Sequence, residues 1–228
     1  MTQAGQRPTQ QERSRRTQRK ILVAAREALA GAGWEGVTVA RVAAAAGVSV
    51  GSVYERFTDK DGLVHAVQHD VLDEVDADLR AAYDRLAERD DLIAADLIAE
   101  VVRAQAEQVA RYGAVMGPLT LRAAADPSLR ARGNASSELA EELFTTLLLS
   151  RTAELGCASP DIQVPMAFRA VFSTVMWQVM FGPDAGLRHE IPQGELLAEL
   201  IALCRSYLLH PERPFAGEPP AGERRDTA

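Results

Sequence analysis

Three groups of residues have the types and spacing to do chemistry. Gly47-Val48-Ser49-Val50-Gly51 satisfies the G-x-S-x-G pattern in which a strained strand-to-helix turn presents a nucleophilic serine. His65, His69 and Asp73 recur at i, i+4 and i+8, a spacing that puts three metal donors on one face of a helix. The third group is Thr38, Arg41, Ser49, Gly51, Ser52, Tyr54, Arg56 and Lys60. Its small and polar side chains flanked by cations suit recognition rather than bond-making: Ser49, Gly51, Ser52, Tyr54 and Arg56 face base edges, while Thr38, Arg41 and Lys60 hold phosphates.

The elements around these residues choose between the groups. A nucleophile elbow needs a buried strand before its first glycine, whereas here the run Ala40-Arg41-Val42-Ala43-Ala44-Ala45-Ala46 favours a helix. Val39, Val42, Ala43 and Ala46 fall on one helical stripe, Thr38 can cap its start, and Gly47 can end it in the left-handed conformation. Ser49 caps a second helix, whose Val50, Val53, Tyr54 and Phe57 repeat the spacing and are expected to pack against the first. Two short helices joined by a tight turn form a helix-turn-helix, a DNA-reading unit. A serine hydrolase remains the alternative. The two histidines read as solvated or packed residues of a surface helix, so neither a metal nor a cofactor is expected.

The run from Thr38 to Leu63 resembles the DNA-binding domain of the TetR family of bacterial transcriptional regulators. The family's opening threonine is Thr38, its Ala-Gly-Val-Ser turn is Ala46 to Ser49, and its closing segment is Tyr54, Phe57, Lys60, Asp61 and Leu63. Arg56 departs from a frequent histidine. The resemblance implies an all-α homodimer whose last two long helices form a four-helix interface, with a ligand cavity in the C-terminal domain.

The net charge of −7 is unusual for a nucleic-acid binder until it is divided by region. Residues 1–60 carry 10 basic and 5 acidic side chains, net +5, which leaves −12 for the remainder. A basic domain on an acidic one keeps the attraction to phosphates local and favours one docking orientation. No signal peptide and no apolar run of membrane-spanning length are read from the sequence, so the cytoplasm is expected and a membrane is not.

The expected organisation is all-α: a disordered basic tail over 1–16, a three-helix DNA-binding domain over 17–60, a larger helical domain for ligand binding and dimerisation over 61–210, and a disordered tail over 211–228. Helices are predicted from Thr17, from Lys60 towards Arg89, and near 91–111, 114–125, 134–155, 161–181 and 194–209. Tyr112, Met116, Phe144, Phe168, Phe172, Met176 and Trp177 gather bulky flat or flexible side chains suited to an apolar ligand. The last two helices are apolar nearly all round, which calls for cover from a second subunit. Val175, Val179, Leu196, Leu200 and Cys204 are the expected interface. Cys157 and Cys204 are expected to be buried free thiols. The functional expectation is a repressor released from a palindromic duplex operator by a small apolar effector. A helical DNA-binding protein without effector control is the non-enzyme alternative.

Overall fold

The computed structural model describes residues 10–182 and 188–210, and among these residues the chain is all-α, with eight helices, one short 3-10 turn and no strand. Helix α1 spans Gln10–Gly36 and leaves helical geometry at Ala32 (φ −142°) and Gly33 (φ 60°). It starts at Gln10 rather than Thr17, so residues 10–16 of the expected disordered tail are helical. Their Gln, Glu and Arg side chains favour helix, and Glu12 complements the positive helix start. Residues 1–9 and the tail at 211–228 lie outside the described residues.

Helices α2 (Val39–Ala46) and α3 (Val50–Tyr54) form the expected pair. The Thr38 hydroxyl accepts from the Arg41 amide at 3.2 Å and the Ser49 hydroxyl from the Ser52 amide at 3.1 Å. Between them Gly47 sits at φ 65°, ψ 40°, where a side chain would be strained. Helix α4 (Lys60–Ala87) is capped by Asp59, whose Oδ1 accepts from the Gly62 amide at 2.8 Å. A helix, not a strand, therefore leads into the Gly47–Gly51 turn, and Ser49 is an N-cap.

Helix α5 (Ala94–Ala123) is one 30-residue helix through Gly113 and Pro118, where the sequence suggests two. Tertiary packing overrides the local signals. A Cβ at Gly113 would lie 2.9 Å from Cγ2 of Val179, so the missing side chain lets α7 approach α5 closely. Gly113→Leu is expected to destabilise the fold by about 1–3 kcal/mol through overpacking, read as a lower urea midpoint with unchanged slope.

Helix α6 (Pro127–Leu149) begins earlier than the predicted residue 134, because Asp126 accepts from the amides of Ser128 and Leu129 at 2.9 and 3.1 Å and proline suits a first helical turn. Helices α7 (Pro160–Phe181) and α8 (Gln193–Leu209) match the expected spans to within one residue. One correction concerns α7, which has the length and composition of a membrane-crossing helix, at mean hydropathy 1.2. In this fold it packs on α5, α6 and α8, and its buried Gln163 donates to the Tyr207 carbonyl at 3.2 Å.

Two apolar cores result. One joins α1, α2 and α3 to the first turns of α4 (Leu63, Val64, Val67 and Val71) and takes in Tyr112, Val115 and Leu119 of α5 and Leu129 of α6. The other fills the space between the later helices around Phe144, Val171 and Leu208. Helix α5 belongs to both.

Candidate DNA-binding face and ligand cavity

The third helix presents a small exposed surface. Val53 and Phe57 are buried, at 1% and 7% exposure, whereas Val50 and Tyr54 are exposed at 43% and 55%. This corrects the expectation that all four pack inward: a five-residue helix has one narrow buried side, and positions 50 and 54 fall off it. Ser49, Gly51 and Tyr54 are exposed and Ser52 is half-buried, its hydroxyl 2.9 Å from that of Ser49. A Cβ at Gly51 would meet only the Ser49 hydroxyl, at 3.8 Å, so the surface there is open to close approach. Val50, which the sequence assigned to the interior, joins this surface and offers methyl groups of the kind that contact thymine. Thr38 and Arg41 are exposed at the start of α2.

Two predicted cations are engaged within the chain. Arg56 is 19% exposed and donates to the Ser52 carbonyl at 2.7 Å, with Glu55 at 3.4 Å. It closes the end of α3 instead of projecting from it. The Lys60 ammonium lies 4.0 Å from the centre of the Trp34 ring, and the Arg122 guanidinium lies 4.3 Å from the same ring. Such contacts contribute about 0.5–2 kcal/mol each, and together they tie α4 and the end of α5 to the last turn of α1. Free positive charge is instead supplied by α1, where Arg13, Arg15, Arg16, Arg19 and Lys20 are exposed on helical turns.

A cavity of about 430 Å³ lies between α4, α5, α6 and α7, within the usual size range of small-molecule sites of ~300–1,000 Å³. Of the predicted ligand residues, Tyr112, Met116, Phe172, Met176 and Trp177 line it. Phe144 and Phe168 do not; they are core residues at 0% and 4% exposure, and Phe168 stacks on Phe172 with ring centres 5.5 Å apart. The sequence reading missed the polar side chains of the wall, among them Thr120, Asn134, Ser136, Ser137 and the buried Gln68, Gln105 and Gln108. The signal of the three glutamines was present: each interrupts an apolar helical stripe, where a glutamine needs a partner. Gln68 donates to the Leu129 carbonyl at 2.7 Å and Gln108 to the Val75 carbonyl at 2.8 Å. The Gln105 Oε1 is buried without a partner, which costs about 1–3 kcal/mol.

Tyr112 connects this cavity to the first domain. Its hydroxyl donates to Asp78 at 2.8 Å, and its ring lies 5.7 Å from the Arg26 guanidinium of α1. Arg26 also pairs with Glu74 of α4 at 2.7 Å. The Tyr112 hydrogen bond, helped by Arg111, holds the Asp78 carboxyl below its ordinary range.

The three residues at metal-ligand spacing have separate surroundings. His65 meets Asp126 at 2.7 Å, Asp73 meets Arg132 at 3.0 Å, and His69 is exposed. No group of three His, Cys, Asp or Glu residues among the described residues could hold a metal ion.

The expected interface residues turn inward. Val175, Leu200 and Cys204 are 6%, 6% and 4% exposed within one subunit, Val179 packs on Gly113, and Leu196 packs on the core. An all-round apolar pattern does not reveal which side α5 covers. The outward apolar stripes are Ile162, Met166, Trp177 and Phe181 on α7, and Leu203 and Tyr207 on α8. Both cysteines are free and buried, and burial pushes the Cys204 thiol up to about 11.

Residues 21–67 match the family model described as bacterial regulatory proteins, tetR family. No curated protein matches the sequence significantly. Among solved structures, a putative TetR-family transcriptional regulator from Mesorhizobium loti superposes with a TM-score of 0.67 at 19% identity, covering 86% of this chain and 96% of that one. A transcriptional regulator from Rhodococcus gives 0.62 at 20% identity, covering 84% and 97%. The regulator FadR from Bacillus subtilis, solved in complex with stearoyl-CoA, gives 0.62 at 18% identity, covering 83% and 98%. At these identities the likeness is one of fold.

Proposed function

We propose, on the match of residues 21–67 to the family model of bacterial regulatory proteins, tetR family, that this protein is a cytoplasmic, ligand-responsive transcriptional repressor. It acts as a homodimer that binds a roughly palindromic duplex site through α3 and is released by a small apolar effector. Residues 17–60 form the DNA-reading domain and 61–210 the effector and dimerisation domain. The stearoyl-CoA found in the FadR complex supports an effector with a large apolar part.

The observation that carries this reading is that α4 and α5 each line the cavity and also build the core of the DNA-reading domain. A ligand that shifts either helix changes the separation of the two α3 helices in the dimer, which must stay near one DNA turn, about 34–36 Å. A hundredfold loss of operator affinity requires a coupling of about 2.7 kcal/mol, and the operator must weaken effector binding by the same factor. Selection of bound genomic fragments supplies the operator. Calorimetry of cavity-binding compounds with and without saturating operator then tests the coupling in both directions. Equal affinity in the two titrations for every compound bound would leave a helical DNA-binding protein without effector control.

Base contact is assigned to Ser49, Val50, Gly51, Ser52 and Tyr54, with Thr38 and Arg41 on phosphates. Arg56 is assigned a supporting place beneath α3, and Lys60 reaches phosphate only by leaving Trp34. Tyr54→Ala is expected to cost about 1–3 kcal/mol of operator affinity with little change in thermal midpoint, since the ring is 55% exposed. Fluorescence polarisation beside a melting curve checks both halves. Unchanged affinity would remove Tyr54 from the contact surface.

A further inference from the structure

The cavity has two unlike ends. Thr120 of α5 and Arg130 of α6 each follow a residue of the first core, Leu119 and Leu129, so they line the end nearest the DNA-reading domain. Leu79, Val109 and Ala140 belong to the second core and line the other end, which is apolar. Most polar groups of the wall are committed within the chain. Gln68 and Gln108 donate to backbone carbonyls, the hydroxyls of Tyr112 and Ser136 to Asp78 and Asp76, and that of Ser137 to the Gly133 carbonyl. Gln105 is 2% exposed, and its Oε1 is sealed off from any ligand. The side chains of Thr120, Arg130, Asn134 and Ser173 are left, with no hydrogen-bond or ion-pair partner among the described residues. Arg130 is the one charged group among the described residues that line this cavity, in a part of the chain, residues 61–228, with a net charge of −12. Arg132, two residues on, is instead paired with Asp73 and Asp76.

We propose that the effector is an amphipathic anion, a largely apolar molecule bearing one carboxylate, with that carboxylate on Arg130. This rests on the reading of the cavity as the effector site. The guanidinium supplies the charge and a fork of N–H donors, and the Asn134 amide and Thr120 hydroxyl are free to donate to the remaining lone pairs. Because Arg130 and Asn134 are exposed, the head group keeps part of its water and escapes the desolvation that the apolar end would impose. A second cavity, of about 330 Å³, shares Asn134, Ser137, Phe172 and Ser173 with the first and adds Glu138, Glu141 and Arg169. Its two carboxylates stand about 12 and 16 Å further along α6 than Arg130, at ~1.5 Å per residue, and repel an anion from that side. Apolar contacts with Leu72, Val109, Met116 and Phe172 supply the bulk of the affinity.

The test uses the full chain and three probes of one shape, para-hexylbenzoate, para-hexylbenzamide and para-hexylbenzylammonium, titrated calorimetrically at low salt. An exposed guanidinium is screened by water, so the preference is modest: hexylbenzoate is expected to bind about fivefold more tightly than hexylbenzamide, and hexylbenzylammonium least tightly. In Arg130→Gln the advantage of hexylbenzoate is expected to vanish while hexylbenzamide binds as before, with circular dichroism confirming the fold. The comparison among probes in the unmodified protein stands even where the variant does not fold. Hexylbenzamide or hexylbenzylammonium binding as tightly as hexylbenzoate overturns the assigned effector class and leaves the cavity reading intact. So does an advantage that survives in folded Arg130→Gln, or a variant that weakens all three probes alike. Failure of all three probes to bind overturns the cavity reading itself, and this proposal with it.

Discussion

Leu203→Arg is expected to yield a folded monomer that has lost at least a hundredfold in operator affinity. Leu203 is 64% exposed on α8, so the change removes nothing from the subunit's own core. Ile162, Met166, Trp177 and Phe181 on α7 and Leu203 and Tyr207 on α8 are left exposed by the single subunit, and exposed apolar patches mark interaction sites. Covering them with a second copy sets two α3 helices on one operator, and linking two modules in this way raises affinity by about 10²–10⁴. An arginine in the middle of that contact faces its own symmetry mate or buried apolar surface, and both are unfavourable. Sedimentation velocity reads the assembly and polarisation reads the operator. A stable monomer of the unmodified protein at micromolar concentration would end the dimer proposal.

Val175→Asp, on the neighbouring helix, should unfold the subunit instead. Val175 is 6% exposed in an apolar core cluster with Val171, Phe168 and Leu200. Burying an unpaired charge costs on the order of 3–5 kcal/mol, a large part of the ~5–15 kcal/mol that a domain of this kind has. The expected result is loss of the cooperative thermal transition, or a midpoint lowered by roughly 10 °C or more. Leu200→Asp should behave alike. A soluble variant with an unchanged melting curve would mean that α7 is packed differently.

These two substitutions separate what could be read from the sequence from what could not. The helix pair was legible because its determinants are local: Thr38 and Ser49 cap, Gly47 turns, and the buried stripe is short. Arg56 was misplaced because spacing gives an angle around a helix axis and no more. That the carbonyl of Ser52, at the end of a five-residue helix, would draw the guanidinium back is a matter of length and geometry. Gly113 and Pro118 suggested an interruption, yet α5 continues because Val179 fills the space a side chain would have taken. The cavity residues were half legible. Bulky side chains at Tyr112, Met116, Phe172, Met176 and Trp177 announced themselves, and Phe144 and Phe168 look the same in composition while sitting behind them. The glutamines were passed over because each looks like an exposed polar position until the neighbouring stripe shows that it faces inward.

The core of the DNA-reading domain is completed by residues that lie far along the chain. Leu63, Val64, Val67 and Val71 are covered by Tyr112, Val115 and Leu119, and the last of the cover is Leu129, fully buried and hydrogen-bonded through its carbonyl to Gln68. On the ribosome, then, the matched segment at 21–67 emerges with one side of its apolar surface bare. Synthesis at about 5–20 residues per second leaves it so for roughly 3–12 s before Leu129 follows. During that interval the nascent helix pair exposes apolar surface of the kind that makes a partly folded chain prone to aggregation. A stop placed between residues 67 and 129 should release a fragment that is degraded rather than a small autonomous DNA-binding domain.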